Sequence, residues 1–135
     1  TACFWIDGEK VAVTGYELPW EYYRRFSRRH PSVVGMERSI GKRKQDAYQI
    51  LLTHNPVFFE EYTAWGADFT FAGHLHGGFI RLPYFGGVIS PQFQLFPKYD
   101  HGLYQMDTSS MVVGNHPGMV RINNSTEIVT VRIKR

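Results

Sequence analysis

Three histidines stand where a folded chain usually places its chemistry. His54 follows the apolar run Tyr48-Gln49-Ile50-Leu51-Leu52-Thr53, and His74 and His76 lie in Gly73-His74-Leu75-His76-Gly77-Gly78, after Asp68-Phe69-Thr70-Phe71-Ala72. A neutral imidazole is a good ligand for divalent zinc, iron, manganese or nickel. Two imidazoles one residue apart can converge on one ion or divide between two neighbouring ions. An H-x-H pair alone is weak evidence, because positions i and i+2 share one face of any strand. Its weight here comes from the apolar strand before it, the glycines on both sides, and a second strand-terminal histidine twenty residues upstream. Gly73, Gly77 and Gly78 remove side chains that would crowd ligands and open backbone angles closed to other residues. The competing account is a set of hydrogen-bonded structural histidines in tight turns.

The elements that must hold these residues read as α/β. Residues 3–6 and 9–14 are apolar or β-branched runs separated by Asp7-Gly8, a dipeptide suited to a tight hairpin. From Pro19 to His30, Trp20, Tyr23 and Phe26 recur among arginines and predict an amphipathic helix, with 31–46 as a loop. The run 48–53 predicts a buried strand, 57–65 a helix entered through Pro56 and closed by Gly66, and 68–72 another strand. Strand, helix, strand with reactive residues after both strands is an arrangement whose sites sit beyond the carboxyl ends of strands. Further on, 79–82 predicts a strand, 83–100 a long loop turning at Gly86-Gly87, and 103–106, 111–114, 119–123 and 127–133 four more strands.

Composition bounds the rest. The chain has 135 residues, 43% hydrophobic and 20% charged, as in a folded domain or part of one. No run of about 18 apolar residues and no signal-peptide pattern occurs, so no membrane span is expected within these residues. The single cysteine, Cys3, cannot close an intramolecular disulfide and is expected to be buried filler. Between Arg24 and Lys44 eight basic residues face one acid, Glu37, a local charge of +7 against a total of +3. Such a stretch suits phosphate, nucleic acid or an anionic membrane surface, but a solvated helix followed by a mobile loop accounts for it better.

The blocks Ile50-Leu51-Leu52-Thr53-His54-Asn55-Pro56, Trp65-Gly66-Ala67-Asp68 and Gly73-His74-Leu75-His76-Gly77-Gly78-Phe79-Ile80-Arg81-Leu82-Pro83, in that order, resemble the C-terminal half of a calcineurin-like metallophosphoesterase. More narrowly they are similar to a bacterial branch with a Gly-Gly-x-x-Arg-Leu-Pro tail, and the likeness continues through Lys98-Tyr99 and Gly102-Leu103-Tyr104 to Arg121 and Glu127. The resemblance implies an α/β fold, the C-terminal half of a four-layer αββα sandwich with a mixed sheet and few helices. It implies two divalent ions (manganese, iron, zinc or magnesium), with His54 and His74 on one and His76 on the other. A hydroxide shared by ions about 3.5–4 Å apart would attack phosphorus in line. The substrate would be a phosphomonoester, a phosphodiester or a pyrophosphate, in a bacterial protein that is cytoplasmic or membrane-associated.

The chain departs from that family in one large respect. The upstream motifs Asp-x-His, Gly-Asp-x-x-Asp and Gly-Asn-His-Asp/Glu do not occur, and Asn115-His116 falls after the Gly-His-x-His block, where the family does not place it. Residues 1–135 are therefore expected to be the C-terminal part of a single domain whose N-terminal half brings the carboxylates, and to turn over little alone. Asp68 is expected to be structural. Arg81 is a candidate for holding a substrate phosphate, with a structural ion pair as its alternative. Asn55 is expected to cap the helix after it. His30, His101 and His116 read as surface or turn residues.

Aromatic residues Tyr84, Phe85, Phe93, Phe96 and Tyr99 suit either packing over the sheet or an apolar lip for a lipid-linked substrate at an anionic membrane. Three other readings compete. A cupin-type site is disfavoured, since the next acid after His76 is Asp100. A non-catalytic phosphoesterase-like scaffold remains open, and a nucleic-acid partner would rest on the 24–44 charge alone.

Overall fold

The computed structural model describes residues 1–23, 29–73, 98–99, 101–114 and 129–133, with the backbone of 81–82 and 86–87. The strands are β1 (Ala2–Ile6), β2 (Glu9–Tyr16), β3 (Tyr48–Thr53), β4 (Phe69–Ala72), β5 (Arg81–Leu82), β6 (Gly86–Gly87), β7 (Gly102–Met106) and β8 (Ser109–Val113), and the helices are α1 (Val33–Ile40) and α2 (Phe59–Trp65). Six strands form one mixed sheet in the order β1-β2-β3-β4-β8-β7, and β5 pairs with β6 apart from it. The fold is α/β, consistent with part of a metallophosphoesterase-like sandwich.

The hairpins are local and the parallel core is not. Asp7 and Gly8 take φ of 50° and 82° between β1 and β2, as a two-residue turn matched to strand twist requires. Strands β2, β3, β4 and β8 then run parallel, so their carboxyl ends share one edge of the sheet. The crossovers β2-α1-β3 and β3-α2-β4 step in the same direction, and right-handed crossovers that do so place both helices on the same face. Tyr16, Leu18, Met36, Leu51, Phe58, Tyr62, Trp65 and Ala67 form the core between that face and the helices. A second cluster, with Phe59, Ala72, Tyr99, Met111 and Val113, continues it toward β8.

The opposite face carries neither α1 nor α2. Cross-strand partners point the same way, so the register puts Phe4, Val11, Val13, Ile50, Leu52 and Leu103 together there. Phe4, Ile6, Leu52 and Leu103 remain 52%, 57%, 44% and 62% exposed.

Five expectations are corrected. Residues 33–40 form α1 rather than loop: the Ser32 hydroxyl accepts the Gly35 amide at 3.0 Å, buried Met36 anchors the helix, and Gly41 at φ 84° ends it. Val33, Met36 and Ile40 lie at i, i+3 and i+7 and pack on the core, but a stripe of three residues over two turns is a short signal among glycines and charges. The helix over 19–30 is reduced to a 3₁₀ turn at Trp20–Tyr23, and a three-residue aromatic spacing suits three residues per turn. Residues 29–30 are not helical, and 24–28 fall outside the described residues. Cys3 is exposed, because β1 is an edge strand exposed along its whole length. Gly86-Gly87 is β6 and not the turn itself. Residues 129–133 pair with no described strand, although their alternation suggests one, and 79–80, 119–123 and 127–128 fall outside the described residues.

Candidate metal centre

Strand register gathers the candidate site. Tyr16 pairs with Thr53 and Leu52 with Phe71, so one or two residues beyond these pairs Glu17, His54 and Gly73 line up across the carboxyl ends of β2, β3 and β4. The Gly73 amide donates to the His54 carbonyl at 3.3 Å. His54 is exposed and opens on two cavities. One, of about 550 Å³, is lined by Gly15, Tyr16, Glu17, Leu52, Thr53, His54 and Gly73. The other, of about 440 Å³, lies between Glu17, Leu18, Trp20, Tyr23 and His54. Beside it, burial and the Glu17 carboxylate push the Tyr23 phenol above its ordinary range.

The turn that carries His54 is fastened from behind. Asn55 accepts the Val57 amide on Oδ1 at 3.0 Å, the expected cap, and Pro56 occupies the first turn position. The Tyr62 hydroxyl reaches back from α2 to donate to the Asn55 carbonyl at 2.7 Å. Burial drives that phenol far above the usual tyrosine range, so it remains a donor. Asn55 Nδ2 is buried and has no hydrogen-bond partner among the described residues.

The amino end of β4, at the opposite edge of the sheet from His54, is fixed by Asp68. Its carboxylate accepts the Gln49 amide at 2.7 Å and the Arg43 guanidinium at 3.1 and 3.2 Å, which bears out its structural role. Gln49 in turn donates from Nε2 to Thr14 Oγ1 at 2.9 Å and to the Ala12 carbonyl at 3.2 Å, binding β3 to β2 inside the core. Arg43 is thus one basic residue of the 24–44 stretch with a structural occupation. Arg29 pairs with Glu21 at 3.1 Å, and Arg24, Arg25 and Arg28 fall outside the described residues.

Of the expected ligands, His54 lies at the carboxyl edge, whereas His74 and His76 fall outside the described residues. His74 follows Gly73 directly in the sequence. Arg81 belongs to β5, its backbone paired with Gly87, and its side chain is not among those described. His30 is a surface residue whose Nδ1 meets Glu61 at 2.5 Å, and His101 receives the Tyr104 hydroxyl on its carbonyl at 3.1 Å in a turn. Among the aromatic residues of 83–100, Tyr99 is buried against Phe59 and Tyr104, while Tyr84, Phe85, Phe93 and Phe96 fall outside the described residues. Glu17 escaped the sequence reading. The available signal was its position just after an apolar strand, the same signal that marks His54.

Among the described residues no three His, Cys, Asp or Glu side chains are grouped to hold a metal ion. The donor types nevertheless fit a divalent transition ion: an accessible imidazole with a carboxylate in the same cavity and two more imidazoles close by in sequence. No described helix is long and apolar enough to cross a membrane.

No family model and no solved structure matches the chain. Over 86 residues it is 30% identical to an uncharacterized metallophosphoesterase, YkuE, of Bacillus subtilis (strain 168), a match that takes in 64% of this chain and 29% of that protein. The chain therefore spans less than a third of that relative's length. The similarity supports the metallophosphoesterase family broadly.

Proposed function

We propose that these residues are the C-terminal part of a metallophosphoesterase domain that hydrolyses a phosphate ester, with His54, His74 and His76 as metal ligands and Arg81 directed at the substrate phosphate. The observation that carries this reading is the alignment of Glu17, His54 and Gly73 across three parallel strand ends. The relative's name supports it from an independent direction. The reaction joins a water oxygen to phosphorus, breaks the bond from phosphorus to the ester oxygen, and releases the alcohol with a proton. Two divalent ions would supply the Lewis acidity and the activated water that such an exchange needs near neutral pH. This chain's own task is to hold and orient. Tyr62 and Asn55 fix the turn that presents His54, and Arg43, Asp68 and Gln49 fix the strand that leads to His74.

The face opposite α1 and α2 supports placing these residues within a larger domain. Its exposed Phe4, Ile6, Leu52 and Leu103 form a surface suited to packing against a second sheet, and the relative is more than three times the length of the matched segment. The carboxylates that complete the ligand set would come from that other part.

The test uses the whole protein that contains these residues, assayed on a phosphomonoester, a phosphodiester and pyrophosphate with manganese, iron, zinc or magnesium. His54→Ala, His74→Ala and His76→Ala should each lower bound metal and remove most activity. Full metal content and hydrolysis in all three variants would sink the assignment, and a correctly folded wild type without metal or activity would favour the scaffold.

A further inference from the structure

The cavity shared by His54, Glu17, Leu18, Trp20 and Tyr23 is lined by two unlike kinds of residue, ionisable and aromatic. One of its lining residues is His54, where the proposed function puts the phosphoryl group. The lining also holds an aromatic pair: Trp20 and Tyr23 lie with ring centroids 6.2 Å apart and planes inclined at 32°, and Trp20 is 79% exposed. An indole so open to water is a flat apolar surface next to a reactive position, and its exposure costs free energy that a stacked ligand would recover. At about 440 Å³ the cavity is of a size that takes a single small-molecule group.

The charge of the lining narrows the ligand. Glu17 is the one formally charged side chain among the described lining residues, which include no lysine or arginine. A carboxylate there repels a second phosphate or any other anionic group, and accepts strongly from hydroxyls. The Tyr23 phenol, held protonated by burial and by Glu17, adds an amphipathic edge.

We propose that this cavity is the subsite for the alcohol half of the substrate, and that this half is an uncharged ring bearing hydroxyls, as in a glycosyl or nucleoside group. The aromatic pair covers one ring face, Glu17 accepts a hydrogen bond from a ring hydroxyl, and the ester oxygen points toward His54. Small acyclic alcohols leave the aromatic wall bare, and anionic groups meet Glu17. The proposal rests on the phosphoesterase reading for the position of the phosphoryl group, though not for the cavity itself.

The experiment has two arms, both on the whole protein. In the first, saturation-transfer NMR on metal-free protein measures binding of methyl glucoside, adenosine and glycerol phosphate. The expected result is transfer to at least one of the two ring compounds and none to glycerol phosphate, with signal lost in Trp20→Ala, weakened in Glu17→Gln and largely restored in Trp20→Phe. In the second, kcat/KM is compared for a glycosyl phosphate, a nucleoside monophosphate and methyl phosphate. A ring ester should exceed methyl phosphate by about tenfold, the worth of one good stacking contact, and Trp20→Ala should collapse that ratio through KM. Whichever ring is preferred identifies the source of the shared chemistry. Equal rates on all esters with Trp20→Ala indifferent would overturn the subsite while leaving the phosphoesterase standing. Ring binding in the first arm with no hydrolysis in the second would overturn the phosphoesterase and uphold the cavity. Absence of ring binding in the metal-free protein would overturn the subsite by itself.

Discussion

The carbonyl of His54 accepts the amide of Gly73 at 3.3 Å, and a Cβ built on Gly73 would come within 3.7 Å of His54 Nδ1. The two strand ends that lead into the candidate site are therefore joined at the last residue before His74. The space between them is just sufficient for a methyl group.

That spacing separates two substitutions. Gly73→Ala makes an ordinary van der Waals contact and should keep fold and metal binding near the wild type. Gly73→Val adds branches to the same Cβ and should turn the His54 ring aside. Isothermal titration with manganese or zinc should show weaker binding for the valine variant only. Equal affinities would mean that His54 Nδ1 has room to spare.

Asp68 ties β3 to β4 and draws in Arg43, whose side chain passes beneath Gly66. Asp68→Ala leaves the Gln49 amide and the guanidinium without their acceptor and should cost about 1–3 kcal/mol, discounted for the partial exposure of Arg43. Gly66→Ala should cost about 1–2 kcal/mol, because φ of 103° disfavours any Cβ and the new methyl would lie 2.7 Å from Arg43 Cδ. Urea midpoints on the same preparation test both. An alanine at 66 without loss would show that the helix can end another way.

Much of this scaffold was legible in the sequence, and the reasons differ by element. The β1–β2 hairpin followed from Asp7-Gly8, and β3, α2 and β4 followed from apolar runs punctuated by Pro56 and Gly66, all of them short-range signals. Helix α1 did not, because its stability comes from the Ser32 cap and from burying Met36 against strands distant in the sequence. His54 was legible from residue type and position, whereas Glu17 was not. A lone carboxylate after an apolar strand is a weaker signal than a histidine there, and it gains weight once the register of β2 on β3 lines it up with His54. Cys3 was misplaced because an edge strand with both faces open looks, in sequence, like a buried one.

Tyr62 predicts a pH dependence. Burial raises its phenol in the folded chain, so the native state holds that proton where the unfolded chain, with an ordinary tyrosine near pH 10, releases it. Its contribution to stability is intact below about pH 10 and declines as the pH rises further, by up to about 1.4 kcal/mol per pH unit. Tyr62→Phe removes the hydrogen bond to the Asn55 carbonyl and should cost about 1–3 kcal/mol at neutral pH. Thermal melts between pH 7 and 11 should find the wild type losing stability faster than the variant. Parallel curves would place the phenol in contact with water.

The face opposite α1 and α2 makes the last prediction. Phe4, Ile6, Leu52 and Leu103 are exposed on one side of the sheet, from one edge strand to the other, and exposed apolar side chains of that kind bind dye, another copy or a covering layer. The isolated 135-residue chain should therefore bind 8-anilinonaphthalene sulfonate and self-associate, and Ile6→Lys with Leu103→Lys should reduce both, since charge at the sheet edges opposes pairing. In the whole protein the same lysines should lower stability, because they would bury unpaired charges against the second sheet. Double substitution that is neutral in both contexts would show that this face is open to solvent in the whole protein, and would remove its support for a domain completed elsewhere in the sequence.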